Sequence, residues 1–126
     1  MQTVTALVPR SADACWQLFI DVGQLASWVP GLRSAQILTL ERGLPAEIHF
    51  ELESYAYTLV YSYDRVAREV RWQPKIGKHE GVTGFVKFEA EDDHTRVTYG
   101  IEPGRLRTTE EDLQRLVDAF ARRVQR

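Results

Sequence analysis

Cysteine is almost absent from this chain, since Cys15 is the only one among 126 residues. A single cysteine forms no intramolecular disulfide and offers no thiol pair to a metal ion. This usage favours a reducing compartment, and we expect a cytoplasmic location. Cys15 itself lies in an apolar helical pattern, which predicts a buried structural thiol and not a nucleophile.

Long apolar runs are also missing. No stretch approaches transmembrane length, and none after Met1 resembles a signal peptide, so we expect no integral membrane segment and no leader. The chain also lacks internal repeats and linkers rich in proline, glycine or serine. We therefore expect residues 1–126 to form a single domain.

Charge of one sign is not in excess, because 16 basic and 18 acidic residues leave a net charge of -2. Such a balance creates no strong field for a polyanion, so we expect no nucleic-acid partner. The helix dipole favours cations at the end of a helix. It explains the cluster of basic residues at the end of the last helix, made of Arg122, Arg123 and Arg126. No oligomeric state follows from these features.

The residues of common catalytic and metal sites are sparse. The three histidines, at positions 49, 79 and 94, do not show the spacing of a zinc pair, so no metal site is expected. The chain contains no nucleophile elbow and no phosphate-binding glycine loop. We therefore assign no catalytic residue and no cofactor.

What the chain does contain is alternating apolar and polar residues. Gln2–Val8 alternates as a half-buried strand does. Ser11 is a good N-cap for a helix that extends to about Asp21, and residues 24–28 predict one more short helical turn. Six further strands are predicted over residues 33–41, 47–53, 57–63, 69–73, 82–90 and 95–102.

The last segment predicts an amphipathic helix. Thr108 and Glu111 have the spacing of a capping box. The positions that follow at helical spacing form one apolar stripe, made of Leu113, Leu116, Val117, Phe120 and Val124. The prediction is an α+β fold in which a curved, seven-stranded antiparallel sheet wraps around this C-terminal helix, with two short helices between strands 1 and 2.

The order of motifs resembles that of the START-like (SRPBCC) superfamily, which includes polyketide cyclase/dehydrase and lipid-transport proteins. The resemblance lies in Pro9-x-Ser11-x-Asp13-x-x-Trp16-x-Leu18-Phe19-x-Asp21, then Trp28-x-Pro30, a run of strands and a closing helix. It implies a helix-grip fold over essentially the whole chain. It also implies a hydrophobic molecule held between the concave sheet and the last helix.

This chain departs from the family pattern at two places. Its last helix is shorter than is usual there, which predicts a smaller or partly open cavity. The turn over residues 41–45 is short and lacks the glycine-rich loop of the plant allergen-like branch.

Aromatic side chains on the predicted inner faces are the candidate ligand-binding residues. Aromatics also fill ordinary cores, but buried tyrosine hydroxyls need hydrogen-bond partners, and a pocket with a few polar groups provides a place for a ligand. The candidates are Trp28, Phe50, Tyr57, Tyr61, Trp72, Phe88, Tyr99 and Phe120.

Three functions remain open at this point. The first is reversible binding of a small hydrophobic, lipid- or polyketide-like molecule. The second, implied by the resemblance, is a cyclase or dehydratase that uses pocket tyrosines as weak acids. The third is an interaction domain whose core is filled by its own side chains.

Overall fold

The computed structural model describes residues 1–75, 82–102 and 109–126. The predicted order of strand, two helical segments, six strands and helix is confirmed. The elements are β1 (Gln2–Val8), α1 (Ala12–Ile20), a 3₁₀ turn (Val22–Gln24), α2 (Leu25–Trp28), β2 (Leu32–Glu41), β3 (Leu44–Leu52), β4 (Ala56–Asp64), β5 (Glu69–Pro74), β6 (Gly84–Glu91), β7 (His94–Ile101) and α3 (Glu110–Val124).

The strands form one antiparallel sheet in the order β1-β7-β6-β5-β4-β3-β2. Strands β2 to β7 form a meander, in which each strand pairs with the next along the chain, as short connections require. Strand β1 completes the sheet by pairing with β7, from Gln2 opposite Ile101 to Val8 opposite Thr95. The predicted seven-stranded antiparallel sheet is therefore confirmed.

The first hairpin turn is tighter than predicted. Arg42 and Gly43 have φ angles of 52° and 79°, the left-handed values that a two-residue turn of type I′ requires. Strand β3 then begins at Leu44, inside the segment predicted as turn.

The cap of α3 lies one residue later than predicted. The Thr109 side chain accepts a hydrogen bond from the Asp112 backbone N–H, and the Asp112 carboxylate accepts one from the Thr109 N–H. The prediction of a Thr108–Glu111 box is therefore wrong. Glu111 points instead toward Arg115, at 3.9 Å.

The core lies between one face of the sheet and the three helices. The predicted stripe of α3 faces it: Leu113, Val117, Phe120 and Val124 are buried, and Leu116 is half-buried. On the first helix Ala12, Cys15 and Trp16 are buried. The helices therefore cover one face of the sheet.

Two predicted features fall outside the described residues. They are the loop at 76–81 that contains His79, and the segment at 103–108 that contains Thr108. Within the parts of the chain that the structure describes, no helix is long and apolar enough to cross a membrane.

Candidate ligand-binding cavity

An aromatic floor runs across the middle strands of the sheet. Alternation along β4 directs Tyr57 and Tyr61 to the inner face, and the antiparallel register sets Phe50 opposite Tyr57 and Trp72 opposite Tyr61. The ring centroids of these two pairs lie 5.4 and 5.8 Å apart. Tyr99 on β7 continues the floor, with its ring centroid 5.3 Å from that of Trp72.

A glycine makes room for the central ring of this floor. Gly84 on β6 lies opposite Trp72 in the register, between it and Ile101. A Cβ atom at Gly84 would lie 2.9 Å from two atoms of the indole ring and 2.5 Å from the Gly100 carbonyl oxygen. Only glycine therefore lets Trp72 lie flat across the neighbouring strand.

Helices and the segment before β2 form the opposite wall, and a cavity of about 530 Å³ separates this wall from the floor. This volume lies within the range of small-molecule sites. The cavity reaches the surface, because exposed Tyr55, Asp112 and Arg115 are among its lining residues. The wall opposite the floor includes Phe19, Ile20, Val22, Leu25, Trp28, Val29, Leu113 and Leu116.

The polar side-chain atoms that line the cavity include phenol hydroxyls. Tyr63 donates its hydroxyl hydrogen to the Pro45 carbonyl oxygen at 2.6 Å. The hydroxyls of Tyr57, Tyr61 and Tyr99 form no hydrogen bond with another residue in the described parts of the chain. They are the groups available to a bound molecule.

Burial keeps these phenols protonated. It raises the pKa of Tyr57 to about 12 and the pKa of Tyr61 and of Tyr99 well above the ordinary value. Neighbouring tyrosines add to the rise, because a second phenolate close by would repel the first. At neutral pH each hydroxyl is therefore a hydrogen-bond donor and a poor proton donor.

Six of the eight predicted ligand-binding residues line the cavity. These are Trp28, Phe50, Tyr57, Tyr61, Trp72 and Tyr99. The other two, Phe88 and Phe120, lie deeper and stack on each other with centroids 5.7 Å apart. Whether the six contact a ligand stays a prediction.

Phe88 and Phe120 belong to a solid aromatic cluster. Phe120 also contacts Phe19 and Trp28, at centroid distances of 6.2 and 5.1 Å. The space next to this cluster is only about 10 Å³, which is too small for a ligand. These side chains support the cavity wall without forming it.

The lining side chains that sequence reasoning did not select include Phe19, Tyr55, Tyr63 and Leu116. The signal for Tyr63 was present, because it continues the alternation of Tyr57 and Tyr61. The signal for Leu116 was its place in the apolar stripe of α3. Tyr55 lies in the turn between β3 and β4, where periodicity carries no information, and its ring stacks on Tyr57 at 6.0 Å.

Cys15 lies away from this cavity and is fully buried. Burial raises its pKa to about 11, although a hydrogen bond with Thr95 opposes the shift. A thiol with this pKa is almost entirely protonated at neutral pH, which fits the structural role predicted for it.

Comparison with known proteins was informative for structure alone. No protein-family model matches the chain, and no curated protein matches its sequence. A START superfamily protein from Mycobacterium smegmatis is 18% identical with a TM-score of 0.79, covering 98% of this chain and 96% of that one. The Zhui aromatase/cyclase from Streptomyces is 15% identical with a TM-score of 0.66, covering 98% and 85% of the two chains.

A STAR-related lipid transfer protein from Xanthomonas axonopodis is similar in the same way. It is 14% identical with a TM-score of 0.68, and the match covers 98% of this chain and 85% of that one. The chain therefore has the START-like helix-grip fold, as its motifs predicted. At these identities the likeness concerns the fold.

Proposed function

We propose that this protein reversibly binds one small, uncharged and largely apolar molecule of lipid- or polyketide-like character. The observation that carries the proposal is the cavity of about 530 Å³ with three inward phenol hydroxyls. A core filled by its own side chains, as an interaction domain would have, does not fit a cavity of this size. Burial of each methylene group of the ligand would contribute about 0.8 kcal/mol.

The polarity of the lining argues for an uncharged ligand. Among the described lining residues the only carboxylate and the only cation are Asp112 and Arg115, and both lie on the exposed side of α3. Asp112 is held in the helix cap, and Arg115 lies 3.9 Å from Glu111. An ion placed deeper would lose its hydration and meet no opposite charge.

The hydroxyls argue for an acceptor oxygen on the ligand. Tyr57, Tyr61 and Tyr99 remain protonated, so each can donate to a carbonyl or ether oxygen. A ligand that accepts these bonds replaces water on the hydroxyls and gains a fixed orientation. A pure hydrocarbon would leave all three donors without a partner, which costs free energy.

The similar structures support this class of ligand. One of them is named an aromatase/cyclase and another a lipid transfer protein. Both names belong to proteins that share the fold, and the same concave sheet and closing helix frame the cavity here.

Binding is better supported than catalysis. A general acid works best when its pKa is near the working pH. Burial instead raises the pKa of Tyr61 and of Tyr99, which takes both further above neutral pH. Within the described part of the lining, no histidine, glutamate or lysine supplies a base. The cyclase or dehydratase hypothesis therefore remains the second candidate.

A series of three naphthalenes of nearly equal shape tests the proposal. 2-Acetylnaphthalene carries a neutral carbonyl, 2-isopropenylnaphthalene replaces that oxygen by a methylene group, and 2-naphthoate replaces the methyl group by a charged oxygen. Their affinities can be followed by quenching of tryptophan fluorescence, since Trp28 and Trp72 line the cavity. We expect the ketone to bind about two- to tenfold more tightly than the alkene, and the carboxylate to bind least.

Tyrosine variants connect this preference to the cavity. Tyr61→Phe and Tyr99→Phe should each reduce the preference for the ketone over the alkene. Tyr63→Phe is the matched control, because its hydroxyl on the same strand already donates to Pro45. Failure of all three compounds to bind would refute the cavity as a hydrophobic site, and equal affinity for ketone and alkene would refute the role of the hydroxyls.

A further inference from the structure

The edge of the sheet formed by β2 is long and apolar. Strand β2 pairs with β3 on one side and lies at the end of the strand order. Ile37, Leu38 and Leu40 are 42%, 46% and 64% exposed, and they account for three of the exposed large hydrophobic residues among those described. An exposed hydrophobic edge of this kind is a template for pairing with another strand.

The sequence of β2 lacks the usual protection of an edge. Residues 34–40 contain no charged residue, no proline and no glycine. Natural edge strands commonly carry lysine or proline, which prevent a second chain from pairing. The uncharged run therefore suits a strand that is covered in the working molecule.

Two charges flank this run symmetrically. Arg33 and Glu41 each lie four residues from Ile37 along the chain. Both are exposed, and neither forms an ion pair with another residue in the described parts of the chain. Their equal spacing makes β2 complementary to itself in an antiparallel arrangement.

We infer that β2 is the interface of a homodimer in which two copies join their edge strands antiparallel, about a twofold axis at Ile37. In this register Arg33 of each copy faces Glu41 of the other, so the dimer contains two cross-strand ion pairs. A twofold interface uses the same surface on both copies, as a self-complementary strand requires. The apolar residues between the charges then pair across the axis.

The pairing of β2 with β3 is interrupted at two residues of β2. Arg33 and Leu38 have no partner residue on β3, because the register shifts beside each of them. Such bulges twist an edge, and they are the one protective device that β2 shows.

Sedimentation velocity over a range of protein concentrations measures the association. We expect a monomer–dimer equilibrium in the natural chain. Arg33→Glu or Glu41→Arg alone places like charges opposite each other twice in the dimer, and each should weaken association about tenfold. The double variant Arg33→Glu/Glu41→Arg restores opposite charges at both positions and should recover the natural affinity.

Arg122→Glu is the matched control, because it changes the net charge as Arg33→Glu does but lies at an exposed position of α3 and not on β2. It should leave the dimer unchanged. A chain that stays monomeric at all concentrations would show that the bulges protect the edge and would overturn the inference. So would a dimer that ignores the single reversals, or one that the double variant fails to restore.

Discussion

Gly84 determines how closely Trp72 can approach the strand beside it. A methyl group at this position would overlap the backbone oxygen of Gly100, which cannot move without disturbing the pairing of β6 with β7. We expect Gly84→Ala to lower the free energy of unfolding by about 1–3 kcal/mol, the usual cost of overpacking. Urea denaturation followed by circular dichroism measures this loss.

Gly23 provides the control for that substitution. A Cβ atom there would lie 3.4 Å from an Asp21 side-chain oxygen, an ordinary contact with a flexible group. Gly23→Ala should therefore change stability by less than Gly84→Ala and even raise it slightly, since alanine restricts the unfolded chain. Equal losses in the two variants would contradict the assigned role of Gly84.

At the scale of elements, α3 performs two tasks with successive parts of one apolar stripe. Leu116 lines the cavity, whereas Phe120 packs against Phe19, Trp28 and Phe88. Leu116→Trp should fill part of the cavity and weaken binding of 2-acetylnaphthalene while the fold persists. Phe120→Leu should instead lower the free energy of unfolding by about 1–3 kcal/mol and change binding less.

This pair of variants is assessed by measuring both affinity and stability in each. The two tasks separate if Leu116→Trp mainly affects affinity and Phe120→Leu mainly affects stability. If Phe120→Leu weakened binding more than Leu116→Trp, the solid aromatic cluster would belong to the binding site.

The sequence predicted the elements well because their signals are local. The stripe of α3 and the alternation of β4 follow from side-chain spacing, which the chain carries in itself. The cap of α3 was placed one residue early because Thr108 with Glu111 and Thr109 with Asp112 both satisfy the capping pattern. Only the backbone geometry chooses between them.

The division of aromatic residues between cavity and solid core could not be read from the sequence. Phe88 and Phe120 share their faces with residues that line the cavity, so periodicity treats both groups alike. The two groups differ in how deep they lie between the sheet and α3. Phe88 and Phe120 lie deeper, because Phe19 packs against both of their rings. Phe19 comes from a helix far away in the sequence, and no local pattern reports that contact.

At the scale of the whole molecule, burial of several weak acids predicts loss of stability in alkali. The pKa of Cys15 rises from 9.0 to about 11 and that of Tyr57 from 10.0 to about 12. Burial raises the pKa of Tyr61, Tyr63 and Tyr99 as well. These groups lose their protons at lower pH in the unfolded chain than in the folded one.

The sign of the effect follows from proton binding. Above about pH 9 the folded chain holds more protons than the unfolded chain, so the free energy of unfolding falls as the pH rises. Each such group contributes a slope of up to about 1.4 kcal/mol per pH unit between its two pKa values. Below about pH 9 the contribution of these groups is present in full and independent of pH.

Urea denaturation at several pH values between about 8 and 11 measures this slope, and phenolate absorbance shows when the tyrosines ionise. We expect phenolate absorbance from the buried tyrosines to appear together with the loss of circular dichroism, because these rings ionise freely only after unfolding. Tyr61→Phe removes one of the groups and should make the decline of stability with pH less steep. A free energy of unfolding that stays constant over this range, or cavity tyrosines that ionise while the fold persists, would contradict the raised pKa values of these groups.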